Sequence, residues 1–188
     1  MSEKDKMLQG QLYDAGADKE LVNDRRKCKD VCFAYNNLLP SDSKGHDEIL
    51  EGLLKEKGER VEIIQPFWCD YGYNITLGHD VFINNNCTIL DGAEVVIGNH
   101  VFIAPDCGIH TAGHPLDIEQ RNAGLEYAYP ITIQDNVWIG ANVTILPGVT
   151  IGKNSVIGAG AVVNKDIPEG VIAAGNPCRV LRKIEEAS

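Results

Sequence analysis

The sequence predicts a mainly β protein: a parallel β-helix of hexapeptide repeats, with a small helical segment before it and a capping helix after it. Three observations predict this: a six-residue beat, a scarcity of aromatic residues, and helical spacing over the first sixty residues. From Ile133 the chain divides without a gap into IQDNVW, IGANVT, ILPGVT, IGKNSV, IGAGAV and VNKDIP. Ile133, Ile139, Ile145, Ile151, Ile157 and Val163 share one position; Val137, Val143, Val149, Ser155, Ala161 and Ile167 share another, four residues on. Upstream, LGHDVF, INNNCT and ILDGAE begin at Leu77, Ile83 and Ile89, and after a two-residue slip IGNHVF and IAPDCG restart at Ile97 and Ile103.

A period of six cannot come from an amphipathic helix, whose apolar positions recur every 3.6 residues. It fits short flat strands joined by tight turns, each hexapeptide forming one side of a coil. The large aliphatic points inward and the small fifth residue fills a corner, while Gly, Asn or Asp takes the turn conformation. Stacked coils then pair every strand with those above and below, around a narrow aliphatic core. The aromatic content of 6% agrees. Periodicity alone leaves the handedness of the coil open.

In chain order, residues 1–60 carry Leu8/Leu12, Leu21/Val22 and Ile49/Leu50/Leu53/Leu54 at helical spacings among Lys and Glu. They predict three short helices, with Asp18 and Ser43 as N-caps and Pro40 as a break. The column follows over residues 61–175, and the stretch from His110 to Pro130 interrupts it as an inserted loop. The ending GNPCRVLRKIEE, within residues 176–188, reads as a turn feeding a short helix that covers the last strand edge.

Composition narrows the function classes. Seventeen basic and 27 acidic residues give a net charge of −10, which argues against nucleic acid or an anionic membrane as the main partner. The N-terminal MSEKDKMLQG has no apolar leader and no run approaches the ~20 apolar residues of a membrane span, so a cytoplasmic location is expected. The six cysteines (Cys28, Cys32, Cys69, Cys87, Cys107 and Cys178) show neither a CxxC pair nor zinc-ribbon spacing. Cys87 and Cys107 occupy repeat positions that call for small apolar side chains, and are read as buried thiols.

The inserted loop, with CGIHTAGHPLDIEQRNAG at residues 107–124, breaks the aliphatic beat with two histidines and a proline. Long loops held by a rigid scaffold are where catalytic groups collect. The repeat array, the opening MLQGQLYDAGADKELVNDRRKCKDVCFAYNNLLPSD, the loop TAGHPLDIEQR and the ending AAGNPCRVLRKI together resemble the maltose and galactoside O-acetyltransferase family of hexapeptide-repeat transferases. The resemblance covers nearly the whole chain. It implies a left-handed β-helix, a homotrimer with active sites between neighbouring subunits, and transfer of an acetyl group from acetyl-CoA to a sugar hydroxyl, with no metal required.

The same resemblance assigns residues. His114 becomes the general base, a role suited to imidazole because its ordinary pKa of ~6.5 leaves much of it neutral near pH 7. The backbone N–H of Ala141 would donate to the oxyanion of the tetrahedral intermediate. Asp14, Arg25, Asp70, Asn84, Asp91 and Glu126 fall around the acceptor sugar, and some relatives carry a second acid where this chain has Gly92. For coenzyme A the matching positions are Trp138, Ala141 and Ala159 along the arm, and Asn164, Lys165, Arg179 and Arg182 at the phosphates. Asn164 stands where threonine is frequent, and Gln134 where the repeat usually has glycine. Asn84, Asp70 and the cations also have plainer readings as turn-formers and surface charges.

Rival functions differ in chemistry. The same column serves zinc hydratases of the gamma carbonic anhydrase type, and His79, His100, His110 and His114 lie within reach of the coils. A trimeric scaffold without chemistry is a second alternative. A xenobiotic or amino-sugar acetyltransferase is a third, although that branch lacks the N-terminal helical block.

Overall fold

The computed structural model describes residues 1–185. Their strands stack into three parallel faces of a column, connected in chain order. The first face is formed by residues 56–57, 75–77, 95–97, 131–133 and 150–151, and the third by 67–69, 87–90, 108–110, 144–145 and 162–163. The second comprises 62–63, 82–83, 102–103, 138–139, 156–157 and 171–174, closed by 179–183. Partners keep the repeat register: Phe82 lies beside Phe102, Phe102 beside Trp138, and Trp138 beside Val156.

The repeat explains what is buried. Leu77, Ile83, Ile89, Ile97 and Ile103 in the lower array, and Ile133, Ile139, Ile145, Ile151, Ile157 and Val163 in the upper, are all buried. So are the fifth-position Val81, Cys87, Ala93, Val101, Cys107, Val137, Val143, Val149, Ser155, Ala161 and Ile167. The fourth position takes the left-handed backbone at Asp80, Asn86, Asp106, Asn136, Asn142 and Asn154, which is why short polar residues recur there; His100 adopts it as well. Gly140 has a different reason to lack a side chain: a Cβ would sit 2.6 Å from the Ala159 nitrogen in the coil above. Gln134 replaces glycine without strain, and its Oε1 accepts the Lys153 amide at 3.0 Å.

Three helices precede the column: α1 (Glu3–Leu8), α2 (Lys19–Asn36) and α3 (Ser43–Leu53). Asp18 caps α2 as expected, accepting the Leu21 amide at 2.8 Å. The cap of α3 is Asp42 rather than Ser43: its carboxylate accepts the Gly45 amide at 3.0 Å, and a charged acceptor at a helix N-terminus gains from the helix dipole as well. Helix α2 lays Cys28, Cys32 and Tyr35 on the first coil, sharing one core with Phe67, Cys69 and Ile75. A smaller core of Met7, Tyr13, Ala15, Leu21, Tyr71, Ala93 and Ala128 joins α1, α2 and the inserted loop to the column wall. Met7, not Leu8, supplies the buried side chain of α1.

The expected C-terminal helix is a strand. Residues Arg179–Lys183 turn back antiparallel onto Val171–Ala174, pairing Ala174 with Arg179 and Ile172 with Arg182. A final parallel strand leaves a row of unpaired N–H and C=O groups, and an antiparallel return satisfies them with hydrogen bonds that a helix cannot offer. Residues 186–188, the rest of that segment, lie outside the described residues.

Candidate active site

The inserted loop leaves the column at the edge between the third and first faces and is pinned on both sides. Ala112–Gly113 pairs antiparallel with Leu125–Ala128, which pairs in turn with Tyr13–Asp14 of the N-terminal segment. A short helix, α4 (Ile118–Asn122), capped by Asp117, carries the chain across the tip. This three-stranded patch sets the position of His114.

The His114 Nδ1 lies 2.9 Å from the Leu125 carbonyl oxygen. A carbonyl can only accept, so Nδ1 carries a proton, and in the neutral ring this contact selects the tautomer with its lone pair on Nε2, the one a base requires. The ring borders a cavity of about 380 Å³ lined by Tyr13, Ala15, Gly16, Arg25, Asp70, Tyr71, Gly92, Ala112, His114, Gly124 and Glu126.

Polar groups within that cavity hold one another. Arg25 donates through Nη1 to the Tyr71 hydroxyl at 2.6 Å and through Nη2 to the Ala15 carbonyl at 2.5 Å. Burial pushes the Tyr71 phenol up to about 12, so it stays protonated; its oxygen accepts from Arg25 and its own proton is free to face a ligand. Tyr13 donates to Glu126 Oε2 at 3.0 Å, and burial and then that carboxylate raise the Tyr13 phenol further. Asp70 stands 3.6 Å from Lys29. Gly92 makes room: a Cβ there would come 3.2 Å from both the Tyr13 hydroxyl and the Ala128 Cβ. A second acid at that position would crowd Tyr13.

Four expected site residues therefore line one cavity: Arg25, Asp70, Glu126 and His114. Tyr13, Tyr71 and Gly16 were not foreseen. Their only signal in the sequence is adjacency, Tyr13 before Asp14 and Tyr71 after Asp70. Asp14 turns elsewhere, its Oδ1 accepting the Gly16 and Ala17 amides at 3.0 and 2.8 Å, so it shapes the cavity wall without lining it. Asp91 is fully buried and accepts the Asp70 and Tyr71 amides at 3.0 and 2.8 Å; in this chain it braces the wall from behind, because the longer side of that coil folds its carboxylate inward. Burial raises it to about 6.

The remaining residues group differently. Lys165 and Arg179 share a second cavity of about 230 Å³ with Ile167 and Cys178, and Arg179 Nη1 lies 3.5 Å from Asn164 Oδ1. Arg182 is outside it, on the exposed strand, with Nη1 3.3 Å from the Lys183 carbonyl. Ala141 and Ala159 stack at the edge between the second and third faces, where the Gly160 amide donates to the Ala141 carbonyl at 2.8 Å. The Ala141 amide itself has no hydrogen-bond partner among the described residues. Asn84 follows strand 82–83 at that same edge, its Oδ1 turned onto the Asn85 amide at 2.9 Å. Trp138 stands exposed on the second face beside Phe102. His114 thus occupies one edge of the column, and Asn84, Ala141 and Ala159 the next.

Among the described residues, the histidines enter no group of three metal-competent side chains. Among the described residues, the one group of three metal-competent side chains within 4.8 Å of one another is Cys28, Cys32 and Cys69. His110 is half-buried and burial lowers its pKa, while its Nδ1 has no partner.

Comparison with known proteins agrees with this fold. A sequence profile for the maltose acetyltransferase hexapeptide capping motif matches residues 6–58, and one for bacterial transferase hexapeptides matches residues 130–165. A Saccharomyces cerevisiae protein named provisionally as an acetyltransferase is 53% identical over 96% of this chain and 92% of its own length. The crystal structure of a maltose O-acetyltransferase from Clostridium difficile 630 is 48% identical, covers 99% of both chains and superposes with a TM-score of 0.97. The chain belongs to the maltose and galactoside O-acetyltransferase family. A galactoside acetyltransferase in complex with coenzyme A superposes at 0.95, with 40% identity over 99% of this chain and 92% of that one. A hexapeptide-repeat acetyltransferase from Vibrio cholerae O1 biovar eltor, complexed with acetyl coenzyme A, superposes at 0.90 with 38% identity, over 99% of this chain and 100% of that one. The protein is accordingly an acetyltransferase of the maltose and galactoside type. Membership leaves the gamma-type hydratase reading without support.

Proposed function

We propose that this acetyltransferase moves the acetyl group of acetyl-CoA onto a hydroxyl of a sugar such as maltose, glucose or a galactoside, with His114 as general base, at a site completed by a neighbouring copy in a homotrimer. The observation that carries this reading is the Nδ1–H of His114 held on the Leu125 carbonyl, which leaves Nε2 basic at a cavity of hydroxyl-binding size and polarity.

An alcohol attacks a thioester poorly until its proton leaves, and His114 Nε2 is placed to take that proton as the bond to the acyl carbon forms. The proton then passes to the departing thiolate. Around the acceptor, Arg25, Asp70, Glu126 and the Tyr71 hydroxyl supply donors and acceptors for sugar oxygens, and such a set discriminates against ligands that lack them. Ala141 offers an unpaired N–H for the oxyanion, as the developing charge requires.

The chain also suits coenzyme A. Lys165 and Arg179 border one cavity in a protein that is otherwise net acidic, which fits a phosphate-bearing ligand. The small Ala141 and Ala159 let a chain-like ligand approach the backbone, and the exposed Trp138 offers an apolar flank. The bound co-substrate supplies the activated acetyl group; the chain supplies orientation, the base and the amide donor. Because His114 and Ala141 lie on different edges, a second chain must bring the missing edge. The outward row Phe82, Phe102 and Trp138, the last two 55% exposed, gives that contact an apolar stripe.

The test is turnover of acetyl-CoA with maltose, glucose, galactosides and amino sugars, followed by a thiol reagent. His114→Ala should lower turnover by roughly 10²–10⁴ while the folded spectrum is kept. Near-normal turnover, or activity confined to amine acceptors, would refute the reading.

A further inference from the structure

Three cysteines that no step of the transfer uses converge where the helical segment meets the first coil. Cys28 and Cys32 stand one turn apart on α2, and Cys69 ends strand 67–69. All three are buried. The Cys69 sulfur lies 3.5 Å from that of Cys28 and 3.7 Å from that of Cys32, and all three sulfurs fall within 4.8 Å of one another. Apart from the Cys69 carbonyl, 3.4 Å from Cys28 Sγ, they have only each other as partners among the described residues.

The arrangement differs from that of the corner thiols. Cys87 and Cys107 each reach backbone carbonyls, at 3.5 Å to Ala104 and 3.2 Å to Gly140, and behave as small core residues. In the trio, two sulfurs come from one helical face and the third from a strand more than thirty residues away, converging on a common point. A zinc ion sits about 2.3 Å from a thiolate sulfur, so three ligands of a tetrahedral ion stand about 3.8 Å apart, and three of a trigonal ion about 4.0 Å. The two short separations approach the tetrahedral spacing. A cavity of about 210 Å³ lined by Asp24, Lys27, Cys28, Val31, Leu53 and Tyr71, among others, reaches Cys28. It offers an entry path and room for a water as fourth ligand. All-sulfur donors exclude calcium or magnesium, which take oxygen, and select a soft or borderline cation.

We propose that Cys28, Cys32 and Cys69 form a three-thiolate site for a thiophilic divalent cation, zinc(II), with water from the adjoining cavity as the fourth ligand. One zinc displaces three S–H protons, leaving a single net negative charge on the ion and its three sulfurs. The ion would stitch α2 to the first coil. Arg25 lies one turn before Cys28, and Asp70 directly follows Cys69, so the stitch fixes two walls of the acceptor cavity. Its role is structural, separate from the acetyl transfer.

The test uses the full chain, reduced, stripped of metal and free of coenzyme A, titrated with cobalt(II) as a spectroscopic probe. One equivalent per chain should give thiolate-to-cobalt charge-transfer absorption with the strong visible bands of a tetrahedral site, and zinc(II) should bleach them. Uptake should weaken as pH falls, because protons compete for the sulfurs. Cys32→Ser should abolish the bands, and Cys178→Ser, at the other end of the column, should leave them unchanged. Should the Cys32 variant misfold, mass-spectrometric mapping of alkylation in the unaltered protein gives the same answer: zinc should protect Cys28, Cys32 and Cys69 selectively. A titration without charge-transfer bands, bands that survive Cys32→Ser in folded protein, or no zinc protection of the trio would overturn the site.

Discussion

Asp91 has no exposure to water, and its environment raises its carboxyl to about 6, mainly through burial. Unfolding returns it to about 3.8, so the native state holds the extra proton between those values. Stability from this group is therefore greatest below pH 4 and falls as pH rises toward 6, by at most about 3 kcal/mol for a two-unit shift. Asp91→Asn keeps an acceptor for the Asp70 and Tyr71 amides and removes the titration. Urea unfolding should show a smaller loss of stability between pH 4 and 6.5 in the variant than in the parent; parallel curves would reject the assignment. Tyr71→Phe removes the hydroxyl that Arg25 holds toward the cavity, and the acceptor KM should rise about tenfold with the acetyl-CoA KM unmoved. A matching rise for acetyl-CoA would place Tyr71 elsewhere in the site. At this scale the sequence was partly legible: His114 interrupts a monotonous repeat and so stands out. Asp91 reads the same in ILDGA whether it faces out or in, because its direction depends on the two extra residues of that side.

Among the elements, the hexapeptide sides were the most legible, since each aliphatic must point inward for the coil to close. Ile145, fully enclosed on the third face, illustrates the energetics: Ile145→Ala should cost about 2–5 kcal/mol in chemical unfolding, whereas a loss under 1 kcal/mol would mean a loosely packed interior. Boundaries fixed by pairing across the fold were less legible. RVLRK has helical composition, yet Arg179–Lys183 is a strand because the exposed edge at Val171–Ala174 needs hydrogen bonds, a demand invisible in local sequence. Ending the chain after Cys178 should expose that edge, and light scattering should report aggregation on warming that the full chain lacks. Equal colloidal stability would show that the return strand protects nothing. Helices α2 and α3 were legible from their spacing, whereas the Leu8/Leu12 pair misplaced α1, which ends at Leu8 and buries Met7; the convergence of Cys28, Cys32 and Cys69 was not legible, since it joins two elements with no shared motif.

Over the whole molecule, the proposed transfer depends on which edge of the column carries which group. The inserted loop, the N-terminal patch and α2 build the His114 cavity at the edge between the third and first faces, while Ala141 and Ala159 stack at the edge between the second and third. No helix among the described residues is long and apolar enough to cross a membrane. The exposed Phe102 and Trp138 lie on a face that a second copy can cover. A homotrimer was an expectation from resemblance alone, because a repeat specifies one column and says nothing of its neighbours. The most direct measurement is complementation: His114→Ala chains and Ala141→Trp chains, each inactive alone, are co-expressed and the mixed assemblies assayed for acetyl transfer to maltose. Sites assembled from two chains predict that activity returns, because some interfaces then pair an intact His114 edge with an intact Ala141 edge. Mixed assemblies as inactive as either parent would contradict it, placing the whole site within a single chain.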